Sequence, residues 1–211
     1  FCLASSAVYV MNDLADRDAD RRHPDKRSRP LARGDIGPRA AAVFGALLGV
    51  AGLALAAWVS IAALSICAVY VALNVVYSAG GKHVAILDVF MIAGGFMLRI
   101  LAGTTGIGVA PSKWLLLCGS MLTLFLGFCK RRAEFSGALA GGDPGAQRAS
   151  LDGYSQALLD RLIAVSVAGA AIGYALYTVD RETTALHGTE RLILTLPFVL
   201  YGLFRYLQRV Y

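Results

Sequence analysis

Residues 40–60 read AAAVFGALLGVAGLALAAWVS, and residues 61–79 continue as IAALSICAVYVALNVVYSA. Neither run contains a charged side chain, and each has about the 20 residues that an α-helix needs to cross the hydrocarbon core of a bilayer. Two consecutive runs of this kind predict two membrane-spanning helices. We therefore predict that the protein is an all-α integral membrane protein.

Other apolar runs extend this pattern along the chain of 211 residues, of which 57% are hydrophobic and 16% are charged. The mean hydropathy is +0.60. We predict one transmembrane domain over residues 1–211 with about seven helical runs. Because Phe1 lies in the middle of an apolar run, we expect the chain to be a piece of a longer protein. The other runs cover residues 1–11 in part, and then 84–102, 114–129, 162–179 and 192–203.

Basic residues fall on one side of the predicted membrane. If each run crosses once, the connecting segments alternate between two sides, and the positive-inside rule assigns the basic side to the cytoplasm. The net charge of +6 is then a topology signal, and we expect no nucleic-acid partner because no soluble basic domain exists. The basic side receives Arg17, Arg21, Arg22, Lys26, Arg27, Arg29, Arg33, Arg39, Lys82, Lys130, Arg131, Arg132, Arg148, Arg161, Arg205 and Arg209, and the other side receives Lys113, Arg181 and Arg191.

An acidic cluster follows the first apolar run. On a continuous helix, Asn12, Asp13, Asp16 and Asp20 share an arc of roughly 100°, whereas Asp18 points elsewhere. Carboxylates packed so closely repel one another unless a cation joins them. Mg²⁺ prefers oxygen ligands and is often held by one or two carboxylates together with substrate phosphates. The pattern predicts a magnesium site with Asp13, Asp16 and Asp20 as ligands.

Bases surround and follow the acids, and they fit the phosphates of a substrate. Guanidinium groups match phosphate oxygens, so we predict phosphate contacts from Arg17, Lys26, Arg27 and Arg29. The alternative is that the acids are merely solvated and the bases anchor the span at the membrane interface.

Because each predicted helix crosses the membrane once, the alternation of sides puts further polar residues on the same side as the acidic cluster. Tyr77, Lys82 and Asp88 flank a Gly-Gly turn, which could bring Lys82 against an anion. Arg99 follows Asp88 by eleven residues and would lie about 16 Å deeper, so the two are too far apart to pair. An arginine at that depth needs a polar cavity or a partner, and both explanations remain open.

The run over residues 114–129 is followed by Lys130, Arg131, Arg132 and Glu134. Lys130 and Glu134 are four residues apart and could form a pair on a helix surface. We predict a polar connection from Arg132 to Gln156.

Several of these segments match known sequences. NDLADRDAD at residues 12–20 fits the NDxxDxxxD motif of the UbiA-type intramembrane prenyltransferase superfamily, and the match continues through RSRPLARG at residues 27–34. More narrowly, the chain resembles the bacterial decaprenyl-phosphate phosphoribosyltransferase branch at residues 77–103, 127–134 and 188–207.

The resemblance implies a nine-helix bundle around a cavity that opens to the cytoplasm and sideways to lipid, in the bacterial plasma membrane. One helix before Phe1 and one after Tyr211 would then be absent from this chain. The implied reaction joins phosphoribosyl pyrophosphate to a polyprenyl phosphate, with Mg²⁺ as cofactor and pyrophosphate as the leaving group, for cell-wall arabinan synthesis. The oligomeric state stays open.

The resemblance also implies residue roles, with Asp13, Asp16, Lys82 and Arg99 as the catalytic set. Asn12 and the three aspartates would hold Mg²⁺ and pyrophosphate, and Lys26, Arg27 and Arg29 would contact the sugar donor. The substrate-binding set also includes Arg17 and Asp88. The opposite wall, which receives the lipid phosphate, would consist of Tyr77, Lys82, Arg99, Lys130, Arg131 and Glu134.

Two other functions fit the sequence less well. An aromatic polyprenyltransferase of the 4-hydroxybenzoate type carries a second aspartate-rich motif in a later cytoplasmic loop, where this chain has only Asp143 and Asp152. A small-solute transporter usually has paired broken helices in two halves, and this sequence has no such pattern.

Overall fold

The computed structural model describes residues 1–22, 26–106, 108–139 and 149–211, and the regular structure in these residues is helical. Asp143 and Arg148, which two of the sequence arguments use, lie outside this described part. The α-helices are α1 Cys2–Ala15, α2 Arg17–Arg22, α3 Pro30–Arg33, α4 Pro38–Val59, α5 Ile61–Ala79, α6 Leu87–Gly106, α7 Lys113–Leu139, α8 Gln156–Val179, α9 Arg181–His187 and α10 Leu196–Val210. Short 3₁₀ turns cover Lys26–Ser28, Gly81–His83, Ala149–Gly153 and Arg191–Thr195.

Five of these helices, α4 to α8, are long and apolar enough to cross a membrane. The prediction of an all-α, multi-span membrane protein is therefore confirmed. The seven predicted runs correspond to α1, α4, α5, α6, α7, α8 and α10. The start of the predicted polar connection is wrong, because α7 continues through Arg132 to Leu139. Arg131 and Arg132 on this part of α7 pair with Asp88 of α6 and Asp160 of α8, which stabilises them within the bundle.

Ser60 alone connects α4 and α5. Its amide donates to the Ala56 carbonyl at 3.1 Å and closes α4, while its hydroxyl accepts from the Ala63 amide at 3.0 Å and caps α5. One serine thus satisfies backbone groups at both helix ends. The two helices pack against each other as a hairpin.

Most successive long helices pack on one another, and α1 lies closely along α4. At Gly52 of α4, an added Cβ would lie only 2.8 Å from the backbone nitrogen of Ala4 in α1. Glycine therefore permits this approach of the two backbones. The contact fixes the position of α1, whose C-terminal end carries the acidic cluster.

Hydrogen bonds and ion pairs connect the helix ends that the charge pattern assigns to the basic side. They involve the C-terminal ends of α1, α5, α7 and α10 and the N-terminal ends of α6 and α8. At the other end of the bundle, the Lys113 ammonium lies 3.5 Å from Asp180 and 3.7 Å from Glu182. The helices therefore alternate in direction as predicted. The pairs on the basic side are Asn12–Ser78, Asp16–Lys82, Asp88–Arg131, Arg132–Asp160 and Asp160–Tyr211.

Candidate active site

The acidic cluster spans a break between two helices. Helix α1 ends at Ala15, Asp16 occupies its C-cap, and α2 begins at Arg17. The prediction that the acids lie along one continuous helix is therefore wrong. Backbone bonds from Asp16 to Asn12 at 2.9 Å and from Asp20 to Asp16 at 2.8 Å continue across the break, and a cation from a later segment joins Asp13 to Asp20.

Arg29 is that cation. Its Nη1 atom donates to Asp13 Oδ1 and to Asp20 Oδ2, both at 2.9 Å. Lys26 Nζ lies 4.0 Å from the other oxygen of Asp20, whose side chain is only 5% exposed. Two carboxylates and two bases thus form one compact group.

The segment that carries Arg29 is folded back onto α2 by local features of its sequence. Pro30 begins α3 at a position where its missing N–H costs nothing, and Gly34 ends α3 in the left-handed region with φ of 95°. Arg21 donates from Nε to the Ala32 carbonyl at 2.9 Å and ties α2 to α3.

Lys82 reaches the acidic cluster from the turn after α5. Its Nζ donates to Asp16 Oδ1 at 2.6 Å, and the Ser78 hydroxyl donates to Asn12 Oδ1 at 2.5 Å. At Gly81 an added Cβ would lie 2.5 Å from the sulfur of Met91, so glycine lets the turn press against α6. The structure therefore brings Lys82 onto the acidic cluster beside Asn12 and Asp16, whereas the resemblance implied a place for it on the opposite wall.

A polar cavity of about 260 Å³ lies beside this cluster. Three residues predicted for the opposite wall, Tyr77, Arg99 and Lys130, line it together with Asn12. Lys82, also predicted there, contacts Asp16 instead. The Arg99 guanidinium carbon lies 5.6 Å from the centre of the Phe1 ring and 5.7 Å from that of Phe96. Aromatic faces on α1 and α6 thus stabilise this charge within the bundle. The lining also includes Tyr9, Tyr70, Asn74, Met91, Ile92, Gly95 and Phe96.

Sequence reasoning missed three polar residues of this lining, Tyr9, Tyr70 and Asn74. The sequence contains a signal for two of them. Tyr9 lies three residues before Asn12, and Asn74 lies three residues before Tyr77. Residues three apart share a helix face.

A second, apolar cavity of about 480 Å³ adjoins the first between α1, α4 and α5. Asn12 and Asn74 belong to the lining of both. The rest of the second lining is almost entirely alanine, glycine, valine, leucine and methionine. A polar chamber and an apolar chamber therefore meet at two amide side chains.

Arg131 and Glu134, which were predicted for the opposite wall, and Asp88, which was predicted to bind substrate, do not line the polar cavity. Asp88 is 0% exposed, and its Oδ2 lies 3.0 Å from Nε of Arg131, which is 1% exposed. Arg131 also pairs with Glu134. Glu134 therefore pairs with Arg131, whereas the spacing predicts a pair with Lys130. Tertiary packing explains this difference from the prediction, because a buried charged side chain needs a buried partner of opposite charge.

The two remaining predicted residues lie at the edge of the cluster. Arg27 is exposed on the Lys26–Ser28 turn. Arg17 is half-buried, and its Nε atom has no hydrogen-bond partner within the part of the chain that the structure describes.

The oxygen-rich donor set fits Mg²⁺ in its chemistry. In the described residues no three histidine, cysteine, aspartate or glutamate side chains converge as a ready-made metal site. Each carboxylate instead has a cation beside it, Arg29 for Asp13 and Asp20, and Lys82 for Asp16. A metal ion would bind these oxygens by displacing or sharing with those bases.

The family model described as UbiA prenyltransferase family matches residues 1–134. The chain is 35% identical over 182 residues to decaprenyl-phosphate phosphoribosyltransferase of Mycolicibacterium smegmatis, covering 86% of this chain and 57% of that protein. Against the protein of the same name from Corynebacterium glutamicum, it is 36% identical over 184 residues, or 85% of this chain and 54% of the relative. The chain thus spans little more than half the length of these curated relatives.

Among solved structures, a UbiA homolog from Archaeoglobus fulgidus bound to GPP and Mg²⁺ has the same fold. The TM-score is 0.71 at 19% identity, and the match covers 97% of this chain and 70% of that chain.

Proposed function

Because the chain belongs to the UbiA prenyltransferase family, we propose that it forms the core of a Mg²⁺-dependent membrane transferase. The proposed reaction moves a 5-phosphoribosyl group from phosphoribosyl pyrophosphate to a polyprenyl phosphate. Similarity to phosphoribosyltransferases over most of the chain supports this choice of substrates. The observation that carries it is the arrangement of Asp13, Asp16 and Asp20 with Arg29 and Lys82 beside a polar cavity.

The donor diphosphate would bind at the acidic cluster. Asn12, Asp13, Asp16 and Asp20 supply oxygen ligands, and Mg²⁺, when bound, would stabilise negative charge on the departing pyrophosphate. Arg29 and Lys82 already lie within hydrogen-bonding distance of these carboxylates. The same bases can turn to phosphate oxygens, which guanidinium and ammonium groups bind well.

The lipid phosphate would enter from the polar cavity. Arg99 and Lys130 supply positive charge there and Tyr77 a hydroxyl donor. The adjoining apolar cavity supports this arrangement, because an isoprenoid tail can lie against its alanine, glycine and valine side chains. Each buried methylene contributes about 0.8 kcal/mol to holding such a tail.

The reaction breaks the bond between ribose C1 and the pyrophosphate oxygen and forms a bond from C1 to a phosphate oxygen of the lipid. The acceptor phosphate is already an anion, so no side chain has to remove a proton. The main task of the protein is therefore electrostatic stabilisation of the leaving group and alignment of two anionic substrates. Lys82 and Arg29 serve the first task, and Arg99 with Lys130 the second.

The basic ends of the helices favour a cytoplasmic site at the inner face of a bacterial plasma membrane. Phosphoribosyl pyrophosphate is water-soluble and would reach the cluster from that side, while the acceptor stays in the bilayer. The product would serve cell-wall arabinan synthesis. We infer this role from the resemblance to the decaprenyl-phosphate phosphoribosyltransferase branch.

The test uses the full-length protein in detergent with phosphoribosyl pyrophosphate labelled in the ribose. We expect label to pass to decaprenyl phosphate only when Mg²⁺ is present. Asp13→Asn and Asp16→Asn should each lower turnover at least about 100-fold by weakening leaving-group stabilisation. Asp35→Asn is the matched control, because Asp35 pairs with Arg33 outside the cluster.

Two results would contradict the proposal. Near-normal turnover in both cluster variants would remove the role of the acidic cluster. Transfer from a prenyl diphosphate to 4-hydroxybenzoate, with no phosphoribosyl transfer, would instead favour an aromatic polyprenyltransferase.

A further inference from the structure

A buried polar network lies next to the candidate site and has no role in the mechanism described so far. Asp88 is its centre, at the start of α6, with its two oxygens in different contacts. Oδ1 accepts from the Tyr154 hydroxyl at 2.8 Å, and Oδ2 accepts from the Ser150 hydroxyl at 3.2 Å and lies 3.0 Å from Arg131 Nε. The network joins α6, α7 and the segment before α8.

Tyr154 links this network to the backbone that precedes α6. Its hydroxyl accepts from the Ile86 amide at 2.6 Å while donating to Asp88. Ile86 has a φ of 69°, a region that β-branched residues rarely adopt. Such a conformation persists only where surrounding contacts hold it. Burial, together with the bond to Asp88, raises the pKa of Tyr154, so its hydroxyl stays a donor.

Ile86 and Lys82 lie in the same connection, between α5 and α6. Only three residues separate Lys82 from Ile86, and the Gly81–His83 turn packs against the Ala149–Gly153 turn. An added Cβ at Gly153 would lie 2.7 Å from the Ala85 side chain, so the two turns fit closely. Movement of the Tyr154 segment would therefore move the turn that carries Lys82.

The other end of the network reaches the polar cavity. Arg131 follows Lys130, which lines that cavity, on the same turn of α7. A buried ion pair is seldom needed for stability, because well-packed apolar side chains of similar size do as well or better. The pair between Asp88 and Arg131 instead connects the segment that carries Lys82 with the part of α7 that carries Lys130.

We propose that Tyr154, Asp88 and Arg131 are positioning residues that hold Lys82 against the acidic cluster. The proposal rests on the proposed function for the role of Lys82 in catalysis. Tyr154 is not among the residues that line the polar cavity, and it acts through the backbone from residue 82 to residue 88.

The test begins with Tyr154→Phe, which keeps the buried ring and removes both hydrogen bonds. We expect kcat to fall between about tenfold and 100-fold, because small misplacements of a catalytic group have effects of that size. In a Lys82→Met background the same change should have little further effect, because coupled residues are not additive. Tyr174→Phe is the matched control, since the Tyr174 hydroxyl bonds to Thr195 at the opposite end of α8.

A second readout does not depend on activity. The rate at which an amine-acylating reagent labels Lys82, followed by mass spectrometry without substrate, should rise about threefold or more in Tyr154→Phe because local opening frees the amine. Ser150→Ala should shift both readouts in the same direction by less, which keeps the test usable if Tyr154→Phe folds poorly.

Full additivity of the Tyr154 and Lys82 changes, or unchanged labelling of Lys82 in both variants, would overturn the proposal. If the wild-type protein transfers no phosphoribosyl group but Lys82 labelling still rises, the proposed function fails and the positioning network stands.

Discussion

Replacement of Arg29 by glutamine should tighten the binding of Mg²⁺ in the absence of donor. Arg29 holds one oxygen of Asp13 and one of Asp20 at 2.9 Å each, so it competes with a metal ion for both carboxylates. At an effective dielectric constant of 20, a unit charge about 4 Å away contributes about 4 kcal/mol. The side chains of Arg29 and Asp13 are 42% and 38% exposed, so screening lowers this to about 1–2 kcal/mol.

That energy corresponds to an affinity for Mg²⁺ between about fivefold and 30-fold higher in Arg29→Gln than in wild type. Titration calorimetry of detergent-solubilised full-length protein with Mg²⁺ at fixed ionic strength measures it. The KM for phosphoribosyl pyrophosphate should rise in the same variant, because a phosphate contact is lost. Arg33→Gln, which loses a pair with Asp35 alone, is the control and should leave both values unchanged.

Equal or weaker binding of Mg²⁺ by Arg29→Gln would refute the reasoning. The result would mean that Asp13 and Asp20 are not metal ligands and that their pairing with Arg29 is the functional arrangement.

Two other predictions concern stability. Gly52→Ala should lower the free energy of unfolding by about 1–3 kcal/mol in a thermal unfolding assay, because its Cβ would lie 2.8 Å from the Ala4 backbone. Gly49→Ala is the control and should be near neutral in the same assay, because its Cβ would lie 3.6 Å from the Ala7 side chain. Burial and the bond to Asp88 raise the pKa of Tyr154 in the folded protein above its ordinary value of 10.0. The contribution of the neutral hydroxyl to the free energy of unfolding is therefore complete below pH 10.0 and is lost as the pH rises above that value. The midpoint of thermal unfolding should then fall more steeply above about pH 10 in wild type than in Tyr154→Phe, and parallel profiles would contradict this assignment.

The topology could be predicted from sequence because the bilayer restricts a chain so strongly. Apolar runs near 20 residues had to be helices, and each crossing reversed the side on which charge appeared. Those two constraints assigned residues as distant as Asp16 and Lys82 to one side of the membrane before any contact was known. The extension of α7 was missed because charged residues such as Arg132 looked like the start of a loop, although a distant acid, Asp160, stabilises them on a helix.

Partners within the site could be predicted only in part. The spacing of the acids predicts that Asp13 and Asp20 share a face, and Arg29 contacts both, but the helix break at Asp16 depends on local backbone geometry that the spacing does not encode. Asp88 and Arg131 illustrate the harder case. Both were assigned to the basic side, yet nothing in their separation of 43 positions shows that they bury each other.

In the structure as it stands, opposite charges at the site are already paired, and this has a consequence for substrate order. The acids Asp13, Asp16 and Asp20 are paired with Arg29 and Lys82. A metal ion alone would have to displace these bases, whereas a diphosphate alone would meet three carboxylates. A diphosphate that arrives with Mg²⁺ exchanges both sets of partners at once, so that carboxylates face the metal and bases face phosphate. Charge pairing therefore favours entry of the donor as its magnesium complex.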